Sequence, residues 1–267
     1  HLIKDTSAID LPLQNYNEPT HVHFNNNYIP KYSNLIHHID FINYNLTNKM
    51  FLKDTGNQLT RMNGSVVGYV STDTSGLNIK ENNYIDLSNS VIGGDFTLSL
   101  WFNMFSIFDS SSSLIYFSED YDTSKTKNVI DISNNGYNNY NYSLDINISD
   151  ENSNYTNWTT GNNLTRSKDH NLTITFGNTN SLMYLDGTLI STNSTPNVLK
   201  SKIVRKYHSL GRTSNVNKDI NISQFSIWDT ILTSGEVTEI YDLGFNYKYE
   251  QDLSESKFYI HDSFNVA

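Results

Sequence analysis

Carboxylate pairs are the first chemistry to test in this acidic chain, because two suitably placed acids can cleave a glycosidic bond. A retaining glycosidase needs carboxyl groups about 5–5.5 Å apart, which on one strand requires acids at alternate positions. No Glu is followed by Asp two positions later within a predicted strand. The Ser-rich sequence also lacks the G-x-S-x-G turn that presents a nucleophilic serine. We therefore predict a non-catalytic protein, with glycoside hydrolysis as the less favoured alternative.

Two histidine pairs have a spacing that metal ligands can use. His21 and His23 share one face of an extended segment, and His38 and Asp40 share one face of another, because side chains alternate along a strand. A zinc site takes at least three protein ligands, and neither pair has an identifiable third. Ordinary polar strand faces are the favoured interpretation of both pairs.

The densest acidic cluster in a predicted loop consists of Glu119, Asp120 and Asp122. Calcium takes roughly six to eight oxygen ligands from carboxylates, amides and backbone carbonyls. We therefore predict calcium as a candidate cofactor, with these three residues as its metal ligands. A solvated acidic turn is the alternative.

Aromatic rings are interspersed with Asn and Ser over residues 119–163, a composition that is typical of recognition surfaces. Such rings can stack on the apolar face of a sugar while nearby amides hydrogen-bond its hydroxyl groups. The predicted ligand-binding residues are Tyr121, Tyr137, Tyr140, Tyr155 and Trp158. A low-complexity insertion without a binding role is the alternative interpretation.

The overall charge excludes several classes of partner. The 267 residues carry a formal net charge of −10, whereas proteins that bind nucleic acid or anionic lipid need clustered Lys and Arg. No apolar run reaches the roughly 18 residues of a membrane-spanning helix. The lack of Cys excludes disulfides and thiolate metal sites. Because the chain begins at His1, we expect it to belong to a longer polypeptide or assembly.

Short strands are the elements that must position these residues. The clearest runs over Gly94–Phe102, where apolar and polar residues alternate; Trp101 lies on the polar side, and we expect a neighbouring segment to cover it. Asp186-Gly187 between two apolar runs predicts a type I′ hairpin. Thr233 and Glu236 predict a capping box at the start of a helix. Many short strands and almost no helix predict an all-β, antiparallel two-sheet sandwich with one short helix near its C-terminal side.

Domain boundaries are predicted from where this pattern starts and stops. Residues 1–30 are polar with scattered apolar positions, so we predict an N-terminal arm or linker there. The sandwich is predicted over residues 31–250, and residues 251–267 are predicted to form a C-terminal extension.

Five groups of short motifs occur in a fixed order over about residues 77–244. They are Asn83–Leu87 (NYIDL), Gly94–Phe102 (GDFTLSLWF), His170–Phe176 (HNLTITF) with Leu182–Ile190 (LMYLDGTLI), Leu210–Arg212 (LGR) and Phe225–Glu236 (FSIWDTILTSGE). This order resembles the laminin-G-like, concanavalin A-like jelly-roll families, pentraxins included. The resemblance implies two packed antiparallel sheets, one of them curved. It also implies binding of glycans or proteins, often with calcium at a loop edge.

The resemblance, the missing catalytic pattern and the aromatic loops together favour one function. We expect a non-catalytic, lectin-like module for carbohydrate binding or cell adhesion in an extracellular or particle-surface protein, with a glycan or glycoprotein as its partner. The alternative is a structural or protein-interaction domain of a larger assembly, such as a fibre or a virion surface.

Overall fold

Short antiparallel strands make up most of the chain that the computed structural model describes, which comprises residues 32–41, 51–52, 54–56, 62–73, 75–80, 83–106, 113–119, 127–138, 141–152, 154–161, 164–194, 202–212 and 219–244. The strands are β1 (Leu35–Asp40), β2 (Phe51–Leu52), β3 (Gly64–Val67), β4 (Val70–Asp73), β5 (Gly76–Lys80), β6 (Tyr84–Leu87), β7 (Ser90–Ile92), β8 (Phe96–Ser106), β9 (Ser113–Ser118), β10 (Ile130–Asn138), β11 (Asn141–Ser149), β12 (Tyr155–Thr159), β13 (Leu164–Thr165), β14 (Asp169–Phe176), β15 (Ser181–Leu185), β16 (Thr188–Asn193), β17 (Ile203–Arg205), β18 (Tyr207–Leu210) and β19 (Asp219–Trp228). A 3-10 turn covers Tyr32–Asn34, and the helix α1 covers Ser234–Leu243.

The strands form two large antiparallel sheets. The eight-stranded sheet has the order β16-β15-β14-β8-β19-β5-β4, with β1 also paired to β19. The nine-stranded sheet has the order β12-β11-β10-β9-β18-β6-β3-β2, with β13 also paired to β11. A separate ribbon pairs β17 with β7. The prediction of an all-β jelly-roll sandwich with one short helix is confirmed.

The core consists of the apolar faces of both sheets. On β8, Phe96, Leu98 and Leu100 are almost fully buried, as their alternation with polar residues predicts. The ring of Phe96 stacks on that of Phe176 in β14, with 4.4 Å between their centroids. Trp158, from the nine-stranded sheet, meets the same Phe176 ring edge-on at 6.2 Å. Aromatic contact therefore joins the two sheets.

The predicted capping box of α1 is present. The Thr233 hydroxyl accepts a hydrogen bond from the Glu236 backbone N–H, and the Glu236 carboxylate accepts one from the Thr233 N–H at 2.7 Å. Gly244, with φ of +68°, follows the last helical residue, Leu243. The helix therefore begins where its sequence signals predict, and it ends at a glycine whose positive φ suits the position after a helix.

Helix α1 packs on the outer face of the eight-stranded sheet. Its buried side chains are Val237 and Ile240, and the ring of Tyr241 stacks on Trp101 with 5.6 Å between centroids and 10° between planes. Trp101 is only 7% exposed. The expectation that a neighbouring segment covers Trp101 is thus confirmed, and this ring is not a surface platform.

The Asp186-Gly187 pair forms the predicted hairpin turn. Both residues have positive φ, +50° and +74°, as a type I′ turn requires. The Asp186 carboxylate also accepts hydrogen bonds from the His170 ring Nδ1 and the Asn171 backbone N–H, each at 2.9 Å. Burial acts to raise the pKa of Asp186, but these bonds and nearby positive charge hold it below its usual value. Asp186 therefore ties the turn to β14.

Residues Lys31–Phe245 form one of two compact units of the chain. The predicted arm (1–30), the predicted extension (251–267) and the pair His21 and His23 lie outside the described residues. Within the described part of the chain, no helix has the length and apolar character needed to cross a membrane.

Candidate functional site

The nine-stranded sheet has a polar face that is turned away from the core. On the neighbouring strands β3, β6 and β18, Ser65, Asp86 and Ser209 are cross-strand partners. Ser65 and Asp86 are exposed, whereas Ile85 and Leu87, which alternate with Asp86, belong to the core. The three polar side chains therefore share the outer face of this sheet.

A cavity of about 430 Å³, here called the outer-face groove, lies at the β3, β6 and β18 end of this face. It is lined by Asn63, Gly64, Ser65, Asp86, Leu87, Ser88, Asn89, Lys206 and Tyr207. These residues come from three separate stretches of sequence that only the sheet brings together. The volume lies within the range of small-molecule sites.

The groove combines an aromatic ring with hydrogen-bonding groups of both kinds. Tyr207 is 36% exposed, so part of its ring is available for contact. The Asp86 carboxylate accepts hydrogen bonds, the Lys206 ammonium group donates them, and the amides of Asn63 and Asn89 do both. Such a lining suits a ligand that has an apolar face and several hydroxyl groups.

The guanidinium group of Arg212 lies near the groove and affects the pKa of Asp86. The guanidinium carbon of Arg212 lies 5.3 Å from the centre of the Tyr84 ring, and Tyr84 shares the outer face with Asp86 because they are two residues apart on β6. Burial raises the pKa of Asp86, and the charge of Arg212 acts in the opposite direction. Arg212 therefore partly offsets the effect of burial on the pKa of Asp86.

The row of polar side chains formed by Ser65, Asp86 and Ser209 continues across the outer face of the sheet, but its further members are buried. Beyond Ser209, the cross-strand partners are Tyr116 on β9 and Asp131 on β10. Ser209, Tyr116 and Asp131 are 3%, 9% and 0% exposed. The accessible part of the row is therefore its β3 and β6 end, where the groove lies.

Of the predicted aromatic ligand-binding residues, Tyr155 and Trp158 have side chains that the structure describes, and neither lines this groove. Tyr121 and Tyr140 lie outside the described residues. Tyr137 lies on β10. Tyr155 on β12 is 61% exposed, and its hydroxyl donates a hydrogen bond to the side-chain oxygen of Asn147. Strand β12 is the opposite edge of the nine-stranded sheet from β2 and β3.

The position of Trp158 corrects the prediction that it binds ligand. Trp158 is 8% exposed, is part of the hydrophobic core and packs against Phe176. Its neighbours on β12, Tyr155 and Asn157, are exposed because they point to the other side of the sheet. The indole ring is therefore a core side chain that has no face free for stacking.

Of the three residues predicted to bind calcium, the structure describes Glu119 alone. Asp120 and Asp122 lie outside the described residues, and the Glu119 carboxylate accepts a hydrogen bond from the Asn128 amide at 2.6 Å. Burial lowers the pKa of the guanidinium of Arg205 to about 10, and the negative charge of Glu119 opposes that shift. Among the described residues, no group of three His, Asp or Glu side chains could hold a metal ion.

A buried Ser–His–Asp network lies next to the groove. The two ring nitrogens of His37 lie 2.6 Å from an Asp54 carboxylate oxygen and 2.5 Å from the Ser90 hydroxyl. All three residues are at most 2% exposed, so a substrate cannot reach the serine. His38, paired with Asp40 as a possible ligand set by sequence, is also buried, and its Nδ1 lies 2.6 Å from the hydroxyl of Ser226.

A family model described as the concanavalin A-like lectin/glucanases superfamily matches residues 80–238, more than half of the chain. The chain belongs to this superfamily. The resemblance predicted from the ordered motifs is thus confirmed. A search of curated proteins finds no match.

The solved structures that resemble this chain in fold include a domain of a toxin and a domain of an extracellular arabinanase. The botulinum neurotoxin serotype D ligand binding domain in complex with N-acetylneuraminic acid has a TM-score of 0.57 and 14% identity, over 79% of this chain and 51% of that one. Domain 4 of AbnA, an extracellular arabinanase from Geobacillus stearothermophilus, in complex with arabinotriose has a TM-score of 0.56 and 16% identity, over 78% and 97%. The chain spans about half the length of the toxin domains. At these identities the likeness concerns the fold.

The main residues of the groove were missed by sequence reasoning. Asp86 shows one usable signal, because the alternation in Tyr84–Leu87 places it on the polar face of a predicted strand. Asn63 and Tyr207 carry no local signal of this kind. Their approach to Asp86 depends on the strand order β3-β6-β18, which neither segment specifies.

Proposed function

We propose that this chain is a non-catalytic carbohydrate-binding module that binds sugar in the outer-face groove. The observation that carries the proposal is the juxtaposition of the Tyr207 ring with the Asp86 carboxylate and two amides in one cavity. A pyranose or furanose ring has an apolar C–H face that packs on an aromatic ring, while its hydroxyls need both donors and acceptors.

A binding role agrees better with the groove than a hydrolytic one. Glycoside hydrolysis uses two carboxyl groups, one as an acid and one as a base or nucleophile. Asp86 is the single carboxylate among the described residues that line the groove. We therefore propose recognition without turnover.

The structural neighbours support an extracellular or surface setting and suggest the first ligands to test. They are the ligand binding domain of a botulinum neurotoxin, with N-acetylneuraminic acid bound, and domain 4 of an extracellular arabinanase, with arabinotriose bound. We propose that this chain serves in the same way as the sugar-recognition module of a secreted or surface protein, whether for adhesion or for attachment to a polysaccharide.

Tyr207→Ala and Asp86→Asn are each expected to weaken sugar binding by about 10-fold or more, because one removes the stacking ring and the other the charged acceptor. A glycan array, followed by calorimetric titration of the best ligand and of the two neighbour ligands, measures the effect. The matched control is Tyr155→Ala, which removes an exposed ring outside the groove. An equal loss of affinity in Tyr155→Ala would place the binding site elsewhere.

We further propose that binding in the groove does not require calcium, since the described residues of its lining offer one carboxylate, whereas calcium takes several oxygen ligands. Treatment with EDTA is expected to leave the affinity within about twofold of its original value. Loss of binding in EDTA with recovery on adding calcium would contradict this and would favour the loop of Glu119, Asp120 and Asp122 as a calcium site.

A further inference from the structure

Two walls of the outer-face groove, residues 63–65 and residues 86–89, adjoin the buried Ser–His–Asp network. One wall begins with Asn63, the residue after Met62, and the other ends with Asn89, the residue before Ser90. Met62 and Ser90 are the points at which Asp54 and His37 make their contacts. Residues that contact or belong to the network are therefore adjacent in sequence to both groove walls.

The hydrogen bonds link the first wall to Asp54. The Met62 backbone N–H donates to the Asp54 carboxylate at 2.7 Å, and the Asp54 backbone N–H donates to the Asn63 side-chain oxygen at 3.1 Å. These two bonds fix both the entry to β3 and the orientation of the Asn63 amide. The acceptor capacity of an ionised carboxylate suits several donors at once.

The hydrogen bonds link the second wall to His37. The ionised Asp54 carboxylate accepts a hydrogen bond from the Nδ1–H group of His37, and Nε2 of the same ring lies 2.5 Å from the Ser90 hydroxyl. The Ser88 backbone N–H also donates to the Asn63 carbonyl at 2.8 Å, which joins the two walls just beyond the Gly64–Leu87 pair of the β3 and β6 ladder. A chain of contacts thus runs from one wall through Asp54, His37 and Ser90 to the other.

We propose that Asp54, His37 and Ser90 act as positioning residues that hold the two groove walls at the separation the sugar requires. This inference rests on the proposed function for its effect on affinity, but not for its effect on the walls. The residues do not touch the ligand, because they are buried and do not line the cavity. They act through Asn63, Ser88 and Asn89.

The test compares Ser90→Ala with Ser226→Ala in the full 267-residue chain. Both variants remove one buried serine hydroxyl from a histidine nitrogen, at His37 and at His38 respectively, but Ser226 lies on β19 of the other sheet. Ser90→Ala is expected to speed hydrogen exchange of amides 62–65 and 88–90 by about 10-fold, and Ser226→Ala by less than about twofold at these positions. Affinity for the best glycan is expected to fall about 10-fold in Ser90→Ala alone.

Three results would overturn the proposal. Equal exchange rates at the groove amides in the two variants would show that Ser90 does not position the walls. Faster exchange with unchanged affinity, while Asp86→Asn weakens binding as expected, would show that the wall position does not matter to the sugar. Labelling of Ser90 by a fluorophosphonate probe would make the network a catalytic one.

Failure of the proposed function is distinguishable from failure of this inference. If no glycan binds to the wild-type chain, the carbohydrate assignment fails, whereas the exchange measurement still decides whether Ser90 holds the walls. Asp86→Asn serves as the reverse control, because it is expected to lose binding while its groove amides exchange within about twofold of the wild-type rate.

Discussion

Asp54→Ala is expected to destabilise the domain by about 3–5 kcal/mol, the cost of removing one partner from a buried, hydrogen-bonded charged site. The Asp54 carboxylate accepts hydrogen bonds from the His37 ring and from the backbone N–H groups of His38, Gly56 and Met62, at 2.6–2.9 Å. The truncation leaves these donors without their acceptor, and each buried unsatisfied donor carries its own desolvation cost. Urea unfolding monitored by circular dichroism measures the loss.

The packing around this site leaves little room for relaxation. A Cβ atom added at Gly56 would lie 2.2 Å from the Ile36 carbonyl oxygen, and the Thr55 N–H donates to the His38 carbonyl at 2.8 Å. The segment around Asp54 therefore rests directly on β1. A smaller loss, below about 1 kcal/mol, would mean that water replaces the carboxylate and that the network contributes little.

Asp54 is also expected to make the stability of the fold sensitive to acid. Burial acts to raise the pKa of Asp54, but the hydrogen bonds from His37 and the backbone hold it below the usual 3.8. A carboxyl group whose pKa is lower in the folded state stabilises the fold fully above its unfolded pKa, and this contribution is lost as the pH falls through the folded value. We expect unfolding free energy to decrease below about pH 5, and less steeply in Asp54→Asn than in the wild type.

Asp86→Asn provides the control for this pH dependence, because the pKa of Asp86 is shifted in the opposite direction, upward through burial. In Asp86→Asn, the decrease in unfolding free energy at low pH is expected to be as steep as in the wild type or slightly steeper. If Asp54→Asn and Asp86→Asn have the same pH profile, Asp54 is not the source of the acid sensitivity.

The sequence predicts those features whose determinants lie close together in the chain. Asp186-Gly187 specifies its turn by local backbone preference, and Thr233 with Glu236 specifies the helix start by side chains three residues apart. Gly94–Phe102 likewise predicts one buried and one polar face because alternation is local. These features carry enough information, taken in order, to identify the superfamily.

The site depends instead on partners that are distant in sequence. His37 adjoins His38 in the sequence, yet its structural partners are Asp54 and Ser90, 17 and 53 residues away. The groove likewise requires strand neighbours that no single segment encodes. Composition alone pointed to residues 119–163, but composition does not say which face of a strand a ring occupies, and Trp158 shows the consequence.

Trp158→Ala is expected to destabilise the fold by about 3–5 kcal/mol while leaving the sugar affinity of the folded protein within about twofold. The ring fills the space next to Phe176, which also stacks on Phe96. Its loss therefore leaves a cavity where the two sheets meet, and the cost includes both lost burial and lost contacts. Thermal and urea unfolding measure stability, and titration with the best glycan measures binding.

The matched control lies on the same strand. Tyr155→Ala removes an aromatic ring that is 61% exposed and lies on the opposite face of β12, so its cost is expected to stay within about 1 kcal/mol, mostly from the hydrogen bond to Asn147. Trp158→Phe, which keeps most of the ring volume, is expected to recover much of the stability and to fold if the Ala variant does not. Weakened sugar binding in a stable Trp158→Phe protein would contradict the core assignment and restore Trp158 as a ligand contact. The loss of unfolding free energy therefore distinguishes the core ring of Trp158 from the surface ring of Tyr155. The loss of sugar affinity distinguishes both of them from Tyr207 in the groove.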